Sequence, residues 1–236
     1  MTQVNEIYQT LTQHADSEIA KHSTRFFKMG EGEYGAGDKV LGLRVPLIRK
    51  LIKSFKRATL SDATALINNE YHEVRLFAVL LMVALFDQAK NDENQQKLIV
   101  EAYIKNTQYI NNWDLVDSSA HKIVGKYLLN KERNLLYQLA VSPSIWEKRI
   151  AMMSTYTFIK QDQFEDTFKL AKILMDDKHD LIHKIVGWML REVGNRNKKA
   201  EENFLKVHYQ KMPRTMLRYA IEKFSKDERQ QYLAGK

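Results

Sequence analysis

An aromatic ring and a carboxylate stand four residues apart in Asn112-Trp113-Asp114-Leu115-Val116-Asp117-Ser118. On a helix, about 100° of rotation per residue brings Trp113 and Asp117 to nearly the same side. Val116, Ala120, Ile123, Val124 and Tyr127 make an adjacent apolar stripe, so the pair is expected at the rim of a buried face. A guanidinium follows at Arg149 in Trp146-Glu147-Lys148-Arg149-Ile150-Ala151. A second indole follows at Trp188 in Lys184-Ile185-Val186-Gly187-Trp188-Met189-Leu190-Arg191. Aromatic faces attract cations through the ring quadrupole. A carboxylate stabilises positive charge developing on a sugar, and arginine holds phosphates in a forked, charge-assisted geometry. Singly, Trp113 reads as a core aromatic and Asp117 as a cap or surface carboxylate. Together with Arg149 and Trp188 they suit a cationic base on a polyanionic strand.

The elements that position these residues read as helices. The chain of 236 residues has only three prolines, and five of its nine glycines fall between Gly30 and Gly42. Glycine and proline are the strongest local punctuation, so their scarcity elsewhere predicts a nearly all-helical chain with short connections. Val74, Phe77, Ala78, Leu81, Met82 and Leu85 follow helical spacing, and no run alternates as a strand would. Glu73-Val74-Arg75-Leu76 and Glu147-Lys148-Arg149-Ile150 share a Glu-x-Arg-apolar form at an offset of 74 residues, twice 37. Such an interval predicts a curved solenoid of HEAT-like antiparallel helical hairpins, one domain over residues 1–236. The competing reading is an irregular helical bundle. In a solenoid, equivalent helices line one concave face, so Trp113, Arg149 and Trp188 would come side by side.

Composition narrows the partner. A net charge of +8 with a pI near 9.4 points toward an anionic partner, nucleic acid being the commonest. The longest apolar run, residues 76–86, is too short to span a bilayer, so no membrane association is expected. Residues 1–6 carry neither a basic start nor an apolar core of a secretory signal, which makes the cytoplasm the expected compartment. With no cysteine, disulfides, thiolate metal sites and cysteine nucleophiles are excluded.

Three other patterns carry less. Gly30-Glu31-Gly32-Glu33-Tyr34-Gly35 matches G-x-G-x-x-G, but no strand precedes it and Glu31 and Glu33 would repel a pyrophosphate. It reads as a flexible helix connector. His179 and His183 lie one helical turn apart without the glutamate of a zinc hydrolase or a third ligand, so no metal is expected. Arg196, Lys198 and Lys199 read as a solvated turn.

With these residues in place, the chain resembles the AlkD-like DNA alkylation repair glycosylases, a HEAT-like helical family. The resemblance runs from the first helices through Leu41-Gly42-Leu43-Arg44-Val45-Pro46 to Trp188-Met189-Leu190-Arg191-Glu192. Its sharpest motifs are Trp113-Asp114-x-Val116-Asp117-Ser118 and Gly187-Trp188-x-Leu190-Arg191-Glu192. It implies a catalytic cleft of Trp113, Asp117 and Trp188 with Arg149 as phosphate anchor. The chain departs from the family pattern in the long connector of residues 30–37, and at Arg44, where a neutral polar residue able to touch the minor groove is expected.

The chemistry also follows from the residues. Alkylation at N7 or N3 gives a purine a formal positive charge, so it can leave neutral without a general acid, and one carboxylate suffices where ordinary glycosidases need two. Asp117 would stabilise the oxocarbenium-like sugar and orient the incoming water. No metal or organic cofactor is required, and without a lysine nucleophile in the constellation the expected enzyme is monofunctional. The expected partner is duplex DNA containing alkylated bases, bound by a monomer through Arg149, Arg191, Lys148, Lys184, Arg218 and Arg44. The alternative is a HEAT-like scaffold that binds DNA or an acidic protein without chemistry. Asp117 discriminates, because a groove that only binds phosphate has no use for a carboxylate beside its arginine.

Overall fold

The computed structural model describes residues 3–235. The all-helical expectation holds: no strand occurs among these residues, and extended pairing is limited to an isolated parallel bridge between Lys39 and Tyr71. The chain divides between Ser119 and Ala120 into two compact units.

The first unit contains α1 (Gln3–Gln13), α2 (Ser17–Phe26), α3 (Val45–Ser54), α4 (Leu60–Leu66), α5 (His72–Gln88), α6 (Glu93–Lys105) and all but the last residue of α7 (Trp113–Ala120). Helix starts follow the local chemistry of unpaired amide donors. Asp16 accepts from the Glu18 and Ile19 amides at α2, Thr59 and Asp62 form a capping box at α4, and Asp92 caps α6. Helix α3 has no side-chain cap; Arg44 stands at its N-cap and Pro46 pre-sets its first turn. At the centre lies α5, packed against α3, α4 and α6. Val74, Phe77, Ala78, Leu81 and Met82 are buried as their spacing predicts, and so are Leu76, Val79 and Leu80, which that spacing leaves outside the stripe. A helix covered on more than one side needs no single apolar face.

Charged side chains also enter this core. The Glu73 carboxylate accepts hydrogen bonds from the amides of Leu41, Gly42 and Leu43 at 2.8, 2.8 and 3.1 Å. Gly42 has φ +82°, and a Cβ there would lie 2.0 Å from the Asp16 carbonyl oxygen, so only glycine fits. One carboxylate thus ties the non-helical segment before α3 to the start of α5.

The second unit opens with a π-helical turn (His121–Gly125). It continues through α8 (Lys126–Leu128), α9 (Asn134–Ala140), α10 (Ile145–Ile159), α11 (Glu165–Ile173), α12 (Asp180–Arg196), α13 (Lys198–His208), α14 (Arg214–Ala220) and α15 (Lys226–Ala234). Ile123 and Val124 are buried as predicted, but Tyr127 is half-buried. Bonding from i to i+5 shifts the phase beyond such a turn, so a stripe drawn at 3.6 residues goes out of step. Helix α10 packs on α12 and α12 on α14, while α9 packs on α11. Gly187 makes the α12–α14 approach possible: a Cβ there would meet the Met216 carbonyl oxygen at 2.3 Å. Gly194 makes room for Glu201, whose carboxyl oxygen would lie 1.7 Å from such a Cβ.

Glu201 is only 1% exposed, and its Oε1 has no hydrogen-bond partner among the described residues. Burial first, then the charge of Glu202, push its carboxyl from 4.5 up to about 8, against Lys198 and Arg191. A raised pKa means the folded chain keeps a proton that the unfolded chain has released. Stability from the neutral carboxyl is therefore full below about pH 4.5 and is lost as pH rises through about 8. Glu201→Gln should remove this slope and leave the protein more stable than the wild type at alkaline pH, by on the order of a few kcal/mol. Urea unfolding across that range checks it; parallel curves for the two proteins would refute it. Glu73→Ala should cost at least about 2 kcal/mol in the same measurement, because it strands three buried amides.

Candidate functional site

Helix α7 carries Trp113 and Asp117, and both side chains are partly exposed. Leu115, Val116, Ser119 and Ala120 are buried, so the pair sits at the rim of the buried face as predicted. Asn112, fully buried, accepts from the Trp113 amide at 2.8 Å and donates to the Phe27 carbonyl at 3.4 Å. At the other end of α7 the Ser119 hydroxyl bonds the Tyr103 hydroxyl at 2.7 Å and donates to the Leu115 carbonyl at 2.6 Å. Tyr103 is fully buried. Burial foremost pushes its hydroxyl up; the Ser119 bond opposes this and the charge of Asp117 adds to it, which places the Asp117 carboxylate within electrostatic reach of this ring.

Trp113 does not stand alone. Its indole lies 5.3 Å from the Phe26 ring, edge-on at 74°, and 5.9 Å from the Phe27 ring at 37°. Phe26 is 61% exposed. Arg44 is exposed at the start of α3, and the connector of residues 30–37 is a series of turns, with the Gly35 amide donating to the Lys28 carbonyl.

In the second unit Arg149 lies in α10 and is 5% exposed; its Nη1 donates to the Leu181 carbonyl of α12 at 2.9 Å. Beside it, Lys148 reaches Asp177 at 2.7 Å. Burial opposes the charge of Asp177, but Lys148 and the His179 amide hold its carboxyl below the usual range. On α12, Lys184 pairs with Asp180 at 2.6 Å, and the Trp188 indole N–H donates to Glu192 at 2.9 Å. Arg191 pairs with Glu222, and Arg218 is exposed on α14. The close approach that Gly187 permits is that of α14. The two histidines serve structure: His179 Nδ1 accepts from the Leu181 amide, and His183 Nε2 lies 2.6 Å from the Asp177 carbonyl. Arg196, Lys198 and Lys199 are exposed around the junction of α12 and α13, where Arg196 pairs with Asp162 and Lys198 with Glu228.

Sequence reasoning overlooks a cluster beside Trp113. His72, fully buried, lies 2.8 Å by Nε2 from Asp114 Oδ2, and its Nδ1 is 3.9 Å from Asp38 Oδ2. Arg75 donates to that same Asp38 oxygen at 2.6 Å and to the Asn69 carbonyl at 2.9 Å. Phe27 covers the imidazole at 4.3 Å. A signal was present, since Asp114 falls inside the Trp113 motif and Arg75 inside the Glu-x-Arg repeat. The two arginines of that repeat are alike in burial; Arg75 bonds Asp38, and Arg149 bonds the Leu181 carbonyl.

Comparison with known proteins adds the family. No curated protein matches the sequence. Among solved structures, the fold is similar to that of a predicted DNA alkylation repair enzyme from Enterococcus faecalis, with a TM-score of 0.69 at 17% identity over 90% of this chain and 97% of that one. A family model described as DNA alkylation repair enzyme matches residues 7–224, from the first helix to the end of the turn after α14. The chain belongs to the DNA alkylation repair enzyme family.

Proposed function

We propose that the protein is a monofunctional DNA glycosylase that releases cationic N7- or N3-alkylated purines from duplex DNA. The observation that carries this reading is the pairing of Trp113 with Asp117 on the rim of α7, in a chain of an alkylation repair family. An alkylated purine bears a positive charge that an aromatic face and a carboxylate both favour. As the N-glycosidic bond breaks, its electron pair neutralises the departing base and positive charge appears on the sugar. Asp117 lowers the energy of that charge and accepts a proton from the water that adds at the anomeric carbon. The products are a free alkylpurine and an abasic site. Neutral lesions such as uracil lack this activation and are poor substrates.

Trp188 is assigned a second aromatic contact with the cationic nucleoside, and Arg149 a phosphate. Arg191, Lys148, Lys184, Arg218 and Arg44 are assigned weaker phosphate contacts. Arg149, Lys148, Lys184 and Arg191 already have partners within the protein, so DNA must share or displace them. The packing of α10, α12 and α14 in one series and α9 with α11 in another supports helical hairpins of the HEAT kind. A curved solenoid of one domain, acting as a monomer, is part of this reading. No helix among the described residues is long and apolar enough to cross a membrane.

The burial of Arg149 leaves little of its guanidinium for a phosphate in the proposed cleft. It favours one other reading, a HEAT-like helical scaffold that binds DNA or an acidic protein without chemistry, and a direct assay separates the two. Wild-type protein should release free alkylpurine from methylated duplex DNA. Asp117→Asn should bind that DNA with similar affinity yet release base about 10²–10⁴ times more slowly. Inert wild type that still bound DNA would favour the scaffold, and equal rates would remove Asp117 from the mechanism. Arg149→Ala should weaken duplex binding and reduce the slope of log K against log salt by about one. An unchanged slope would show that Arg149 meets no phosphate.

A further inference from the structure

We propose that His72 is a positioning residue for α7: clamped between Asp38 and Asp114 and covered by Phe27, it fixes the first turn of that helix and hence the direction of Trp113 and Asp117. This rests on reading α7 as the helix that meets substrate.

The geometry forms a continuous path. Phe27 lies against the imidazole at 4.3 Å and 32° on one side and against the Trp113 indole at 5.9 Å and 37° on the other. The imidazole is bonded to Asp114, the residue that follows Trp113, at 2.8 Å. Asn112, the residue that precedes it, holds the Phe27 carbonyl. These three ties return to His72 or to Phe27, and the Phe26 edge adds a fourth contact on the indole. A shift of His72 is therefore passed to the indole through Phe27 and through Asp114, both of which are in contact with the imidazole.

Charge sets the strength of this clamp. Asp114 from α7 and Asp38 from the segment before α3 face the imidazole, and Arg75 faces it from its own helix. Glu73 is adjacent, but its carboxylate is committed to the amides of residues 41–43. At 3.9 Å the Asp38 oxygen is too far for a direct hydrogen bond, so it acts chiefly through its charge. Burial opposes protonation, as does Arg75, but Asp114 and then Asp38 outweigh them and raise the imidazole from 6.5 to about 9. The clamp is thus an imidazolium between two carboxylates at neutral pH. Its contribution is full below about pH 6.5 and is lost as pH rises through about 9.

The test needs no enzymatic activity. In full-length protein labelled with 5-fluorotryptophan and carbon-13 histidine, the Trp113 fluorine signal is assigned with Trp113→Phe and the His72 signal with His72→Gln. From about pH 7 to about pH 10.5 both signals should move with one midpoint, near the value that the buried ion pair sets. Asp114→Asn removes a charge while keeping the side-chain size, and should lower both midpoints together by at least about one pH unit. A Trp113 signal that stays flat while His72 titrates would overturn the proposal, as would a Trp113 midpoint indifferent to Asp114→Asn. Loss of fold in His72→Gln leaves the Asp114→Asn arm in place. Base release by the wild type should fall above the same midpoint, and at lower pH in Asp114→Asn. Wild type inert toward alkylated DNA overturns the glycosylase reading, while the fluorine titration decides the role of His72 by itself.

Discussion

Charge inside the first unit has to be neutralised where it stands, because an unpaired ion taken out of water costs several kcal/mol after relaxation. His72, Glu73 and Arg75 enter α5 in its first turn and are almost wholly buried. Each is answered from a segment distant in sequence: Glu73 by the amides of residues 41–43, Arg75 by Asp38, and His72 by Asp38 and Asp114. These partners can arrive only if the segment before α3 and the start of α7 take up one arrangement. A hydrophobic contact tolerates sliding; an ion pair with directional bonds does not. The apolar body of α5 supplies most of the burial, and its charged end sets what may lie against it.

The legible parts were those governed by local periodicity. Apolar spacing located the core of α5, and Trp113 with Asp117 could be placed on one rim because a helix fixes the angle between residues four apart. The same logic failed after Ala120, where a π turn breaks the 3.6-residue register and leaves Tyr127 half-buried. Residues 27–38 were harder, and for a different reason. Their turns look featureless in sequence, but Phe27 and Asp38 are fixed by His72, Arg75 and Trp113, partners more than thirty positions away. No local pattern encodes such a pairing. Arg75 and Arg149 show the limit most clearly: they share a Glu-x-Arg-apolar form and deep burial, yet the form does not say that one will bond Asp38 and the other the Leu181 carbonyl.

In the second unit helices come close at glycines, mostly with backbone as the neighbour. Gly125 admits the Ser154 carbonyl at a distance no Cβ would allow, Gly187 admits that of Met216, and Gly194 admits the Glu201 carboxyl. Glycine in a helix interior costs about 0.5–1 kcal/mol relative to alanine. Here that cost is offset by dispersion contacts between helices that could not otherwise come so near. Glu201 is the exception, a carboxyl that burial keeps largely protonated at neutral pH.

A conflict between long-range and local electrostatics bears on the proposed chemistry. A net charge of +8 draws a polyanion toward the protein. The same field repels a cationic base and opposes the positive charge that develops on the sugar. Distance resolves the conflict. The overall field is screened beyond about 10 Å at ordinary ionic strength, whereas a carboxylate in contact with the reacting atoms is screened much less. Basic residues can therefore govern approach while Asp117 governs the reaction centre, provided that Asp117 is held still. A preorganised charge acts without reorganising at the moment of reaction. A carboxylate on a loosely fixed helix would lose that advantage. The ties on α7 supply the restraint: Asn112, Asp114 and the Phe27 ring at its start, Tyr103 and Ser119 at its end. On this reading the buried ions of α5 and the exposed rim of α7 belong to one device, in which a structural cation is bound tightly so that a catalytic anion cannot wander.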